Sequence, residues 1–152
     1  MTIINRPCDT LITKIFTFDG AHQLPDHPGK CKNLHGHSWQ LEVSIFGQID
    51  SNTGMVMDFG DLKNIVNEKI INILDHSKLN DTLENPTAEN ILVWIWDQID
   101  GELKSGGTNL LQELTLWEST DSKATITRKD ILELKKREET GNYRKSVRPS
   151  II

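Results

Sequence analysis

Three of the five histidines in the chain, His22, His35 and His37, lie close together in the sequence. After Gly36, apolar and polar residues alternate from His37 to Ile45, a period of two that is typical of a half-buried β-strand. Side chains two residues apart on a strand point to the same face, so His35 and His37 project together toward the apolar side. Imidazole rings placed in this way can bind a metal ion.

The preceding strand brings a third imidazole to the same place. It runs from about Leu11 to Phe18, and His22 continues the parity of Phe16 and Phe18. Three imidazoles that converge from one side leave a fourth coordination position free, which is how catalytic zinc is held. We therefore predict a zinc site formed by the three histidines. The plain alternative is a set of polar residues that hydrogen-bond at a strand end.

Cys31 lies in the loop from Pro25 to Leu34, between Lys30 and Lys32. Two lysines and a nearby metal ion would favour the thiolate, the form that acts as a base or a nucleophile. Cys31 could itself be a ligand, but a position in a loop suits this role less well than a position on the strand. We expect a reactive group beside the metal.

Asp75 and His76 directly follow the first predicted helix. A carboxylate next to an imidazole can fix its charge and tautomer, and such a pair moves protons near neutral pH. The alternative is an exposed pair in a turn.

Glu118 continues the even parity of Leu110, Leu114 and Leu116, which places its carboxylate on the apolar face near a strand end. An unpaired buried charge is very costly, so this carboxylate needs a partner. The partner could be an arginine or a lysine, but none lies in phase beside it. It could also be a ligand with two parallel N–H donors, as in a guanidine-like ring edge.

Composition describes an ordinary single domain of 152 residues, with 36% hydrophobic and 26% charged residues. The formal net charge of −5 argues against a nucleic-acid-binding face. No apolar run reaches membrane-spanning length, and the first residues lack the apolar segment of a secretory signal. Cys8 and Cys31 are therefore expected to be reduced thiols in a cytoplasmic protein.

The order of elements predicts an α+β domain: a four-stranded antiparallel sheet with two helices on one face, in the order ββααββ. Its open sheet edges favour association between subunits. Trp94 and Trp96 lie outside the apolar stripe of the second predicted helix and could also contact another subunit. We assign 1–128 to this domain and 129–152 to a charged extension with a short helix and a loose tail. The predicted elements are strands at Leu11–Phe18 and His35–Gly47, a helix from Asp58 to about Leu74, a helix starting at Asn85–Pro86, and strands at Leu110–Leu116 and Ala124–Arg128.

Several ordered motifs resemble the 6-pyruvoyl-tetrahydropterin synthase superfamily, from about Ile12 to Glu118. Within it they are most similar to the branch that makes 6-carboxy-5,6,7,8-tetrahydropterin on the queuosine and 7-deazaguanine route. The spacing of three residues between Cys31 and His35 also resembles that branch. The motifs are Phe18-Asp-Gly-Ala-His22, Cys31-x-x-x-His35-Gly-His37, Gly54-Met-Val-Met-Asp58, Leu74-Asp75-His76 and Glu84-Asn-Pro-Thr87-Ala-Glu89.

The resemblance implies a role for each candidate residue and a tunnelling fold (T-fold). Subunits would join into a trimeric barrel, as a homotrimer or a homohexamer, with sites between neighbours. The substrate would be 7,8-dihydroneopterin triphosphate, and the products 6-carboxytetrahydropterin, acetaldehyde and triphosphate. The implied roles are zinc ligands for His22, His35 and His37, general base for Cys31, proton relay for Asp75 and His76, and pterin binding for Glu118, Thr87 and Glu89.

Two other functions remain open. One is another reaction of the same superfamily, either formation of the 6-pyruvoyl product or cleavage of the pterin side chain. The other is a zinc- or pterin-binding module without catalysis. The presence of both Cys31 and the Asp75–His76 pair favours an intact synthase.

Overall fold

The computed structural model describes residues 8–103 and 110–141. These residues form an α+β fold, and its class confirms the prediction. The mixed sheet has the strand order β3-β1-β2-β4-β5. The strands are β1 (Asp9–His22), β2 (His35–Gln48), β3 (Ser77–Lys78), β4 (Leu110–Trp117) and β5 (Lys123–Thr127). The helices are α1 (Phe59–Val66), α2 (Asn72–Leu74), α3 (Ala88–Leu103) and α4 (Arg128–Thr140), with a π-helical turn (Asn67–Ile71) between α1 and α2.

One face of the sheet is covered by helices and the other is open. β1 and β2 pair antiparallel along their whole length, from Asp9 opposite Gln48 to His22 opposite His35. Alternate residues point to the helices and are buried, as the parity predicted, and these include Phe18 and Trp39. The three histidines share this parity. The core residues of the two strands are Phe16, Phe18, Trp39, Leu41, Val43 and Ile45.

The sheet has five strands in the described residues, and the prediction of four was wrong. The additional strand, β3, pairs parallel to β1 at Gly20 and Ala21. Two residues are too short to show a period of two, so no pattern in the sequence could reveal this strand. The observed order therefore departs from ββααββ, because β3 lies between the helices; α4, which follows β5, lies where a short helix was predicted in the extension.

Local signals placed some element boundaries correctly and others not. Asp58 caps α1 by accepting hydrogen bonds from the backbone N–H groups of Gly60 and Asp61, as its type and position predicted. In contrast, α3 begins at Ala88, two residues later than the predicted start at Pro86. The hydroxyl of Thr87 accepts the N–H of Asn90 there, which leaves the Pro86 carbonyl available for another partner.

β4 contains an irregularity that the alternation did not predict. The register with β2 shifts between Ser44 and Ile45, so Leu111 and not Leu110 is the fully buried residue at the start of the strand. Leu114 and Leu116 keep the predicted burial. A bulge of this kind turns one residue to the other face.

Trp96 does not lie on a surface for association, and this part of the prediction was wrong. Its side chain is fully buried within the chain, and the guanidinium of Arg128 lies 5.3 Å from the centre of its ring. Arg128 also donates to Asp100 at 2.6 Å, which ties the start of α4 to α3. Trp94 is partly buried.

The segment after α3 and most of the predicted C-terminal tail lie outside the described residues. α3 continues to Leu103, and residues 104–109 lie outside the described residues. The predicted tail from Gly141 onward also lies outside them, apart from Gly141 itself. Over the described ranges, none of the helices has the length and apolar character needed to cross a membrane.

Candidate metal centre and active site

The three predicted ligands converge at one end of the sheet, beneath the helices. His22 and His35 face each other across β1 and β2, and His37 faces Gly20, which has no side chain. One ring nitrogen from each histidine lies within 4.8 Å of one from each of the other two. The structure therefore brings together the three residues that strand parity selected.

Hydrogen bonds on the far side of two rings determine which nitrogens carry protons. His22 donates from Nδ1 to the Pro86 carbonyl at 2.8 Å, and His35 donates from Nδ1 to the Asn33 carbonyl at 2.7 Å. A neutral imidazole has one N–H, so Nε2 of each ring carries a lone pair instead. These two Nε2 atoms are 3.1 Å apart. When both rings are neutral, their two lone pairs face each other at this distance and repel.

His37 completes the arrangement. Its Nε2 atom is buried and has no hydrogen-bond partner among the described residues. Burial lowers the pKa of His37, the neighbouring His22 and His35 lower it further, and Glu118 opposes the change. The neutral form is therefore favoured, and a neutral imidazole is the form that ligates metals. Three neutral imidazole rings whose nitrogens converge fit a cation. Ligating histidines commonly donate their other N–H to a carbonyl, as His22 and His35 do here.

Glu118 lies beside this cluster. Its Oε1 atom is 3.5 Å from Nε2 of His22 and 3.7 Å from Nε2 of His37, and about a third of its side chain is exposed. No local pattern predicted this pairing, because β4 and the two histidine strands are far apart along the chain. A carboxylate at this distance adds to the negative potential at the centre of the cluster.

A small cavity on the helix side of the sheet adjoins Glu118. It contains about 260 Å³, close to the lower end of the roughly 300 to 1,000 Å³ that small-molecule sites span. Cys31 lines it, and a hydrogen bond from Leu24 N–H to the Cys31 carbonyl fixes the loop at this point. The predicted site residues Cys31, Thr87, Glu89 and Glu118 thus share one cavity, with Leu24, His27, Ala88, Ser122, Lys123 and Ala124.

Asp75 and His76 lie elsewhere, at the outer edge of β1. Nδ1 of His76 donates to Oδ2 of Asp75 across 3.0 Å, as expected for a relay pair. Asp75 accepts the backbone N–H of Asp19, and this bond and then the His76 contact lower the pKa of Asp75. Asp19 is opposite Ser38 in the register, and both have the parity of the open face.

The sheet therefore separates two groups of predicted residues. The Asp19 carboxylate approaches His76 to within 4.8 Å, which places the pair on the open side. His76 lines a hollow there with Asp19 and Ser38. The hollow also reaches His37, which it contacts next to the small residues Ala21 and Gly36. Cys31 and His76 line different cavities within one chain.

Sequence reasoning missed three contributors to this arrangement. Asn33 and Pro86 act through their carbonyls, which no residue type reveals. Asp19 was visible as part of the Phe18–His22 motif, but its approach to Asp75 depends on the parallel pairing of β3 with β1.

Comparison with known proteins identifies the family. The sequence profile of the 6-pyruvoyl tetrahydropterin synthase family matches residues 11–129, which is most of the chain. The chain belongs to this family. The matched range includes every predicted site residue, from His22 to Glu118.

Individual relatives carry more specific names. The 6-carboxy-5,6,7,8-tetrahydropterin synthase of Synechocystis sp. is 46% identical over 96 residues, covering 59% of this chain and 74% of the relative. A putative enzyme of the same name from Archaeoglobus fulgidus is 43% identical over 112 residues, covering 74% and 90%. The solved 6-pyruvoyl tetrahydropterin synthase of Caenorhabditis elegans has a TM-score of 0.72 at 23% identity, covering 82% of this chain and 99% of that chain, and so shares the fold.

Metal content in two variants tests the ligand assignment. His35→Ala should lose most of its bound metal, because two imidazoles hold zinc far less tightly than three. Cys31→Ala should keep the wild-type content, because Cys31 is expected to act beside the metal and not as a ligand. Metal per subunit is measured by elemental analysis after dialysis. Full occupancy in His35→Ala, or loss in Cys31→Ala, would contradict the assignment.

Proposed function

We propose that the chain is a zinc-dependent 6-carboxy-5,6,7,8-tetrahydropterin synthase that converts 7,8-dihydroneopterin triphosphate, with release of acetaldehyde and triphosphate. The names of the Synechocystis and Archaeoglobus relatives support this reaction. The queuosine and 7-deazaguanine route, which the sequence motifs suggest, is the corresponding pathway. The observation that carries the proposal is the meeting of three imidazole rings beside Glu118, whose cavity is also lined by Cys31 and Glu89.

Zinc is the metal we propose for the cluster. His22, His35 and His37 would hold it, and a set of three neutral imidazoles with room for one more ligand is typical of catalytic zinc. When bound, zinc would acidify hydroxyl groups of the substrate and stabilise negative charge that develops on oxygen. The remaining steps depend on side chains of the protein.

The cavity beside the cluster is suited to the pterin ring. Its carboxylates, Glu89 and Glu118, can accept the parallel N–H donors of an amino-pyrimidine edge in charge-assisted hydrogen bonds. The Thr87 hydroxyl accepts the Asn90 N–H and can still donate to a ring atom. Because Glu118 also adjoins His22 and His37, a ring bound there would present its side chain to the cluster.

Two groups would move protons on the substrate side chain. The Cys31 thiolate, in the same cavity, would remove a proton from carbon or oxygen as a general base. His76 is held by Asp75 through Nδ1, which leaves Nε2 to exchange a proton with the substrate. Positioned acid–base groups of this kind contribute roughly 100- to 10,000-fold to the rate.

The separation of these two groups favours a site shared between copies of the chain. Within one chain, His76 and Cys31 line different cavities on opposite sides of the sheet. We propose a homotrimer or a homohexamer in which one copy supplies the cluster and Cys31, and its neighbour supplies Asp75 and His76. The long edge of β1, paired by β3 only at Gly20 and Ala21, is available for such an assembly.

Product analysis tests the proposed reaction. Zinc-loaded enzyme is incubated with 7,8-dihydroneopterin triphosphate, and pterins and acetaldehyde are measured by chromatography and mass spectrometry. We expect 6-carboxytetrahydropterin and acetaldehyde in equal amounts. Accumulation of 6-pyruvoyl-tetrahydropterin, or side-chain cleavage without the carboxy product, would replace the proposal with a related reaction. Binding without turnover would indicate a pterin-binding module.

Mixing of impaired variants tests the shared site. Cys31→Ala and His76→Ala should each keep only a small residual activity, but random co-assembly after co-expression should restore about a quarter of wild-type activity, since one site in four combines two intact contributions. A mixture of Asp75→Asn with His76→Ala is the matched control and should stay at the residual level, because both changes affect the same contribution. Failure of the first mixture to regain activity, with mixed assembly verified by mass, would contradict a shared site.

A further inference from the structure

Asp19 contacts both members of the Asp75–His76 pair through its backbone. Its N–H donates to Oδ1 of Asp75 at 2.9 Å, and its carbonyl accepts the His76 N–H at 2.6 Å. Asp75 and His76 lie in a turn between α2 and β3. These two bonds attach that turn to β1, the strand that also carries His22.

The backbone of His76 needs this support. Its φ angle is +55°, a left-handed conformation that residues other than glycine adopt at a cost. Such a conformation persists only where the surroundings determine it. Two hydrogen bonds hold this turn, one on either side. The His76 N–H donates to the Asp19 carbonyl, and the Ser77 hydroxyl donates to the Leu74 carbonyl at 2.7 Å.

The side chain of Asp19 adds a second contact with the pair. Its Oδ1 atom accepts the hydroxyl of Ser38 at 2.6 Å, across the register from β1 to β2. This bond restricts the carboxylate to the open face. There it lies within 4.8 Å of the Asp75 carboxylate and of a ring nitrogen of His76.

We propose that Asp19 is a positioning residue for His76. Its backbone fixes the turn, and its carboxylate, held by Ser38, keeps the Nδ1–H of His76 directed toward the two carboxylates, so that Nε2 faces away from them. The inference rests on the proposed function, in which His76 exchanges a proton with the substrate. In this role Asp19 acts through His76.

Steady-state kinetics of Asp19→Ala test the proposal. The backbone bonds survive this change, but the imidazole loses one of its two carboxylates. We expect kcat to fall roughly 10- to 100-fold, the size of effect that misplacement of a reacting group by about 1 Å produces, with KM unchanged within twofold. Asp9→Ala, an exposed aspartate on the same strand and face, is the matched control and should retain wild-type kinetics.

A double-mutant cycle separates positioning from a general structural effect. If Asp19 acts through His76, adding Asp19→Ala to His76→Ala should cause no further loss of kcat. Zinc content and melting temperature should stay at the wild-type values. An additive loss in the double variant, or an unchanged kcat in Asp19→Ala, would overturn the proposal.

A spectroscopic measurement makes the test independent of turnover. In wild-type protein, nitrogen-15 NMR of neutral His76 should show the tautomer protonated on Nδ1, and Asp19→Ala should show a mixture of tautomers. An unaltered tautomer would overturn the role of Asp19 even if the substrate assignment is correct. Conversely, the expected change of tautomer in a protein that does not convert the pterin would leave Asp19 in place and reject the proposed function.

Discussion

The site depends on three imidazole rings whose nitrogens converge within 4.8 Å of one another. Backbone carbonyls hold the Nδ1 protons of His22 and His35, which forces both Nε2 atoms to face the cluster without hydrogen. Buried polar atoms without partners are unfavourable, and like-signed lone pairs 3.1 Å apart are more so. A bound cation would convert this local repulsion into attraction. The carboxylate of Glu118 strengthens the preference for positive charge.

The geometry of the sheet determines what surrounds this cluster. The pleat sends His22 and His37 toward the helices, where Cys31, Glu89 and Glu118 share one cavity. The same pleat sends Asp19 to the open face, beside His76. One chain thus carries two groups of candidate site residues on opposite faces of the sheet. This division, more than the open edges of the sheet, is the physical reason to expect an assembly.

The sequence predicted the parts of the site that follow from a period of two. Parity along β1 and β2 was sufficient to place His22, His35 and His37 on one face. In a regular strand the side chains alternate between the two faces, and a one-residue slip would move every apolar residue out of the core. Parity did not predict the register shift that buries Leu111, the two-residue β3, or the burial of Trp96. These depend on contacts between distant segments, and no local pattern encodes them. The carbonyls that select the tautomers were equally invisible, since every residue has one.

The coordination of zinc-loaded protein tests the central claim most directly. X-ray absorption at the zinc edge distinguishes nitrogen ligands at about 2.0–2.1 Å from sulfur at about 2.3 Å. The account predicts three imidazole nitrogens and one light oxygen ligand, with no sulfur, in both wild-type protein and Cys31→Ala. A sulfur ligand near 2.3 Å that disappears in Cys31→Ala, or a zinc ion bound without three imidazoles, would contradict it.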